Sequence, residues 1–395
     1  MRKWLLIGAI LAGIVLFSQC IGTGIRDPRG KAYAGSAACI SCHKNIADSY
    51  SHTAHYHSAS IASIKTIEGS FSPGSNTFPV NDTAKMVMEL RDSLPYQVLY
   101  VNGKEKTAEP FNIVFGYSKG QTYLYWKNDQ VYQLPLSWSQ QQWMTSPGYP
   151  SGLPFFGRPV LARCFECHTT YATQSSISNV NALDKGSMIL NIDCERCHGP
   201  AAAHVAFHTE SPGETKGRYI VAFQSLTREQ RIDICTTCHA GSNNIELRSI
   251  FGFKPGDTLA RFEVSAHVPT GKPDVHGDQV ALLESSKCFQ MSTMECSTCH
   301  NTHVNDRGNF IAYAQRCQTC HAEAGSHFCK MADAQNIAFL RTNCTRCHMP
   351  AQGSNIIRMK TASVGGDTAV FMINHRISIY PDESKNILAH AGHLR

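Results

Sequence analysis

The stretch CERCHGPAAAH, residues 194 to 204, holds two cysteines, two histidines and a Gly–Pro step. Three chemistries use this spacing: a zinc knuckle, a redox dithiol, and the thioether attachment of a haem. Context decides among them. The pattern C-x-x-C-H occurs seven times, at Cys39, Cys42 and His43; Cys164, Cys167 and His168; Cys194, Cys197 and His198; Cys235, Cys238 and His239; Cys296, Cys299 and His300; Cys317, Cys320 and His321; and Cys344, Cys347 and His348. Fourteen of the seventeen cysteines are used in this way, leaving Cys20, Cys288 and Cys329. Neither a dithiol nor a four-cysteine zinc ribbon needs histidine straight after the second cysteine. At this chain's histidine frequency, seven chance successes have odds of about one in 10^9, whereas haem attachment requires each one. Two thiols add to the two vinyl groups of a haem, and the adjacent histidine sits under the iron as proximal ligand. The reading is seven covalently bound haem c groups.

Length and composition agree with a haem-filled interior. The 395 residues, 17% charged and 42% hydrophobic, suffice for one large or two moderate domains. Seven haems leave about 56 residues each, too few for separate pockets of the globin kind. The expected fold is therefore mostly α and irregular, a haem-packed multihaem cytochrome c fold with short helices at the motifs. The formal charge of +6 is misleading, because every haem carries two propionates. With fourteen propionates and ferric iron the exported protein carries about −3, which argues against nucleic-acid binding.

Residues 1–20, MRKWLLIGAILAGIVLFSQC, open with Arg2 and Lys3, continue in an apolar run from Trp4 to Phe17, and close on Cys20. This is the grammar of an export signal. Covalent haem attachment agrees with it, since c-type cytochromes mature outside the cytoplasmic membrane. Cys20 is a candidate lipidation site, although Phe17 and Gln19 depart from the usual lipobox; an uncleaved anchor and simple secretion are the alternatives. Residues 21–35 read as a Gly/Pro-containing tether, and 36–395 as the multihaem domain. The expected location is the periplasm or cell exterior, with attachment to the membrane through the N-terminus.

One region does not concern haem. Between the first and second motifs, residues 76–150 read as a β-rich insert. Asn102-Gly103 follows a β-rich run and is a strong hairpin signal. Two further runs flank Lys127-Asn128-Asp129, and the aromatics Tyr123, Tyr125, Trp126, Tyr132, Trp138 and Trp143 suit a half-buried sheet better than a ligand surface. Thr227 and Gln230 stand in capping-box spacing, so a helix is expected to run into the fourth motif. Residues 331–343 read as another helix, with Asp333 as its cap.

Twelve histidines lie outside the motifs. Imidazole on the distal face makes low-spin, low-potential haem, whereas methionine there raises the potential. His204, His303, His55 (beside His52 and His57), His267, His276 and His375 are the leading distal candidates. His327 is a weaker one, as is His208. His390 and His393 read as solvated. Met291, Met294 and Met349 could ligate, but methionine near a core usually packs. Cys288 and Cys329 could form a disulfide or remain separate thiols.

Several composite segments resemble a known family, the multihaem c-type cytochromes built on the tetrahaem electron carrier of hydroxylamine oxidation, whose bacterial members often carry tetratricopeptide repeats. CHKNIADSYSHTAH resembles the family's opening haem segment, which implies His55 as a distal ligand. CERCHGPAAAH is similar to its CERCHGPG-x-x-H segment, implying the same role for His204. HGDQVALLESSKCFQMSTMECSTCHNTH implicates His276 and His303, and NHRI implicates His375. YLYWKNDQVYQLPLSWSQQQWMTSPGY resembles the family's β insert. The resemblance runs from about residue 35 to 380. No helical-repeat extension precedes Arg395, so any docking role of such repeats is expected to be absent or supplied elsewhere.

Two functions follow as expectations. The first is electron transfer between redox protein partners through closely packed, mainly bis-histidine haems. The second is an oxidoreductase acting on a small nitrogen or sulfur compound at one five-coordinate haem, which needs an open distal face and acid–base groups above it. All seven motifs end in histidine, so the C-x-x-C-K site of the pentahaem nitrite reductases is absent. Electron transfer is the favoured reading.

Overall fold

Period-two burial organises the middle of the chain. In the run Ala84–Arg91, Ala84, Met86 and Met88 are buried while Lys85 is exposed, the alternation of a strand with one face in a core. The computed structural model describes residues 27–149, 152–176, 179–241, 244–264, 273–321, 329–333, 335–362 and 367–390. In it, β2 (Thr77–Asn81), β3 (Ala84–Arg91), β4 (Leu94–Val101) and β5 (Lys104–Pro110) form an antiparallel meander. A second sheet has seven strands. Its main path runs β1 (Ala59–Ile61), β6 (Ile113–Phe115), β7 (Gly120–Lys127), β8 (Gln130–Gln133), β11 (Arg158–Pro159), with β9 (Leu136–Ser139) and β10 (Gln142–Thr145) attached through β7.

Both predicted hairpins are present. Asn102 and Gly103 take φ of 50° and 72° between β4 and β5, the left-handed pair that a two-residue turn requires. Asn128 (φ 59°) turns β7 into β8. Two further hairpins use residues that gave no such signal, Asp92-Ser93 and Gln140-Gln141, all four at positive φ. Their strained backbone is held by the strand pairing on either side rather than by local preference.

The sheets meet face to face. Met86, Met88 and Leu99 of the meander pack against Tyr123, Tyr125 and Trp143, all buried. The aromatic cluster is thus core. Strand alternation sends Leu124 to the opposite face, where Ile113, Phe115 and Val131 join Val160, Phe165 and Leu183. Phe165 lies inside the second C-x-x-C-H motif, so this second core joins the sheet to the motif-bearing half.

That half consists of short helices and loops. The motifs lie on helices Ser36–Cys42, Ala162–His168, Cys194–His198, Arg228–His239, Cys296–Cys299, Phe310–His321 and Cys344–His348. The helix into the fourth motif starts with the predicted capping box of Thr227 and Gln230. The helix expected over 331–343 begins only at Ile337. Asp333 instead accepts from the amides of Gln335 and Asn336 and closes the preceding turn. Strands also occur outside 76–150, the longest being the hairpin Ala351–Lys360 with Asp367–Ile373, so the described fold is mixed helix and sheet. The signal, Cys20, His267, His327 and His393 lie outside the described residues. No described helix is long and apolar enough to cross a membrane.

Candidate haem centres

In every motif the histidine is either the last helical residue or the residue just after it. Cysteines three apart on one turn face the same side, which is what double attachment to one flat group needs. The third motif shows how the sequence holds such a turn. Asp193 caps the helix by accepting from the amide of Arg196 at 2.9 Å. Gly199, at φ 77°, lets the chain leave the helix. Glu195, only 3% exposed, accepts from the amides of Ala34, Gly35 and Ala201, each at 2.9 Å. Arg29 adds a guanidinium contact to Glu195 at 2.8 Å, to Asp193 at 3.0 Å and to Asp27 at 2.8 Å. The residues before the first motif are thereby clamped onto the third.

The histidines outside the motifs are set opposite those within them. His43 and His204 have ring centroids 6.4 Å apart and planes at 15°. His198 and His303 stand at 5.9 Å and 17°, and His300 and His375 at 6.1 Å and 24°. His239 and His55 are 6.1 Å apart with planes at 80°. His276 lies near enough to His168 for their charged forms to repel, while the ring stacked on His168 is that of Phe115. Four of the five distal candidates implied by the family resemblance, His55, His204, His303 and His375, each face a different motif histidine.

This spacing tests the fit of the group. A shared iron needs about 2.0 Å of metal–nitrogen bond on each side and about 1.1 Å from nitrogen to ring centre, hence roughly 6 Å between centroids. Four pairs fall there. A structural zinc would need a wider ligand cluster, and no three His, Cys, Asp or Glu side chains converge among the described residues. The residues fit haem: the two cysteines of a motif would attach it, and at four motifs two opposed imidazoles would be placed to hold its iron.

Seven of the imidazoles are shifted towards the neutral form that a metal ligand needs. Burial pushes His168, His239 and His300 down to about 4, with repulsion from neighbouring imidazoles assisting. Burial also lowers His55, His198, His276 and His375. Backbone carbonyls set the tautomer. His204 Nδ1 lies 2.8 Å from the Arg218 carbonyl and His348 Nδ1 2.8 Å from that of Ser378. A carbonyl only accepts, so Nδ1 carries the proton and Nε2 keeps its lone pair for metal. His276 is positioned by Asp274, which accepts from the His276 amide at 2.8 Å and from Ser354 and the Asn355 amide at 2.7 Å.

His321 and His348 have no second imidazole paired with them among the described residues. His208 packs on His204 at 4.6 Å and His57 stacks on Tyr117 at 4.4 Å. His390 bonds its own helix and is exposed. Met291 is 78% exposed, unlike a buried axial ligand. Cys288 and Cys329 are free thiols, the first beside Cys299 and Cys317 and the second beside Cys347. Sequence reasoning missed Arg29, Glu195 and Asp274, ordinary surface types in composition, and Phe115, whose ring stacks on His168 at 4.5 Å. Strand alternation puts Phe115 on a buried face, but no local signal names what it meets there.

Residues 155–199, which carry the second and third motifs, match the family cytochrome c554 and c-prime. The match supports a c-type cytochrome with covalently bound haem c, an electron carrier. No curated protein matches the chain, and no solved structure does.

Proposed function

We propose that the chain is a heptahaem c-type cytochrome that transfers electrons between redox protein partners, related to the electron carriers of hydroxylamine oxidation. When bound, haem supplies a one-electron ferric/ferrous couple. The polypeptide would anchor each group through two thiols on one helical turn, and at four motifs it would offer an imidazole from each side. The observation that carries the reading is the fourfold recurrence of opposed imidazoles. A position filled by His55, His204, His276, His303 or His375 leaves no room for substrate on that face. The same pairing favours a wire, because six-coordinate low-spin iron changes geometry little with oxidation state. Haem-bearing motifs crowd one half of the fold while the sheets carry the apolar core, which supports a haem-packed interior there.

The N-terminal pattern supports export to the periplasm or cell exterior, with Cys20 as lipid attachment point. The oxidoreductase alternative has one place to stand, the sixth and seventh motifs, where His321 and His348 lack a paired imidazole among the described residues.

Intact mass and carbon monoxide test the proposal. The mature protein should carry a mass excess of seven haems, and the dithionite-reduced protein should bind no carbon monoxide. An excess of six or fewer in fully matured protein refutes the count. Stoichiometric carbon monoxide binding together with turnover of nitrite, hydroxylamine or tetrathionate establishes the enzyme instead.

A further inference from the structure

The cysteines of different motifs touch one another. The thiols of Cys39 and Cys194 lie close enough to perturb each other, linking the first motif to the third. Cys167 and Cys238 link the second to the fourth, Cys235 and Cys296 the fourth to the fifth, and Cys317 and Cys344 the sixth to the seventh. Two looser approaches complete the set. Cys197 lies near both Cys235 and Cys238, and Cys299 lies near Cys317 and Cys320.

Independent contacts follow the same map. Glu195 binds the amides of Ala34 and Gly35 between motifs one and three. Cys167 Sγ reaches the Thr237 carbonyl, and Cys238 Sγ that of Glu166, both at 3.9 Å between motifs two and four. Arg231 pairs with Glu295 at 2.5 Å between four and five. Arg316 donates to the Cys299 carbonyl between five and six, and Gln318 donates to the Arg341 carbonyl at 2.5 Å between six and seven. Arg196 of the third motif and Cys238 Sγ of the fourth both donate to the Glu166 carbonyl, at 3.1 Å and 3.9 Å.

A thioether sulfur is bonded to the carbon next to the porphyrin edge. Two such sulfurs in contact therefore put two conjugated edges a few bonds apart, the separation at which tunnelling is fast. From this we infer, resting on the electron-transfer reading above, that the motifs form a branched row. Its order is first, third, fourth, fifth, sixth, seventh, with the second attached to the fourth as a side branch. The branch closes against protein: Phe115 stacks on His168, and Phe165 is fully buried under the sheet. The through path thus runs between the first and seventh motifs, and the fourth is its junction.

Iron positions test the order directly. In anomalous diffraction from crystals of the haem-loaded protein, the iron held by His239 should have three nearest irons. Those held by His43, His168 and His348 should have one each. An iron of His168 placed beside that of His43, or an iron of His239 with two neighbours, overturns the order. In solution, replacing a distal histidine makes one ferric haem high-spin and broadens the electron paramagnetic resonance of its neighbours. His276→Ala and His303→Ala should each broaden the signal of the His55/His239 haem, and His204→Ala should leave it sharp. Equal broadening by all three also overturns the order. Seven irons in another order leave the electron-transfer reading intact, whereas stoichiometric carbon monoxide binding with turnover of nitrite, hydroxylamine or tetrathionate removes that reading itself.

Discussion

The imidazole planes of His55 and His239 cross at 80°, while the pairs His43/His204, His198/His303 and His300/His375 lie within 15–24° of parallel. The angle has an electronic consequence. Parallel imidazoles donate into the same iron d orbital and split the pair that holds the unpaired electron. Crossed ones donate into both and leave the two nearly degenerate. One ferric haem should therefore give a highly anisotropic low-spin signal with a large maximum g, distinct from the rhombic signals of the parallel pairs. Electron paramagnetic resonance of the oxidised protein checks this, and His55→Ala should abolish that signal alone.

His204, His276, His303 and His375 should behave alike when replaced singly by alanine. Each variant is expected to convert one haem from low to high spin and to keep seven haems, because attachment depends on the cysteines. Unchanged spectra in all four variants would exclude these residues as ligands. Haem loss would instead place them in maturation or folding.

Glu195 should be a stability determinant out of proportion to its surface chemistry. Its carboxylate holds three amides and the Arg29 guanidinium, and it is buried. Glu195→Ala strands these donors and is expected to cost about 3 kcal/mol. Denaturant unfolding of the haem-loaded protein measures the loss. Arg29→Ala should cost a comparable amount, and the two should be less than additive because they share one network.

The same clamp should show an acid limb. Burial pushes the Asp27 carboxyl up, but side-chain and backbone hydrogen bonds from Arg29 more than offset this and leave it below its ordinary value. A carboxyl depressed on folding contributes stability that is present above its unfolded value, about 3.9, and is lost as pH falls through the folded one. Wild-type stability should thus decline more steeply than that of Asp27→Asn below about pH 4. Parallel curves in that range would show that Asp27 contributes nothing.

Much of the site was legible because its chemistry is local. Attachment of a haem needs two thiols and an imidazole within five consecutive residues, a constraint written in the order of the chain. The hairpins at Asn102-Gly103 and Asn128-Asp129 and the capping box at Thr227 were legible for the same reason, each being set by the backbone preference of a few neighbours. The turns at Asp92-Ser93 and Gln140-Gln141 were not, since those residues are forced into left-handed conformations by strand pairing on both sides.

Composition alone could say only that spare imidazoles outnumber the seven motifs. The family resemblance proposed five of them as ligands, but which motif each faces is decided by tertiary structure. His43 meets His204, and His300 meets His375, because helices and loops distant in sequence pack together, and no spacing rule spans such separations. The thiol contacts that order the motifs arise in the same way. Cys39 is one turn from Cys42 in sequence, yet its neighbour across the packed helices is Cys194. Covalent spacing along the chain therefore determined where haem could attach, and packing between distant segments decided which groups face each other, since burial rewards whatever surfaces fit together regardless of their separation in sequence.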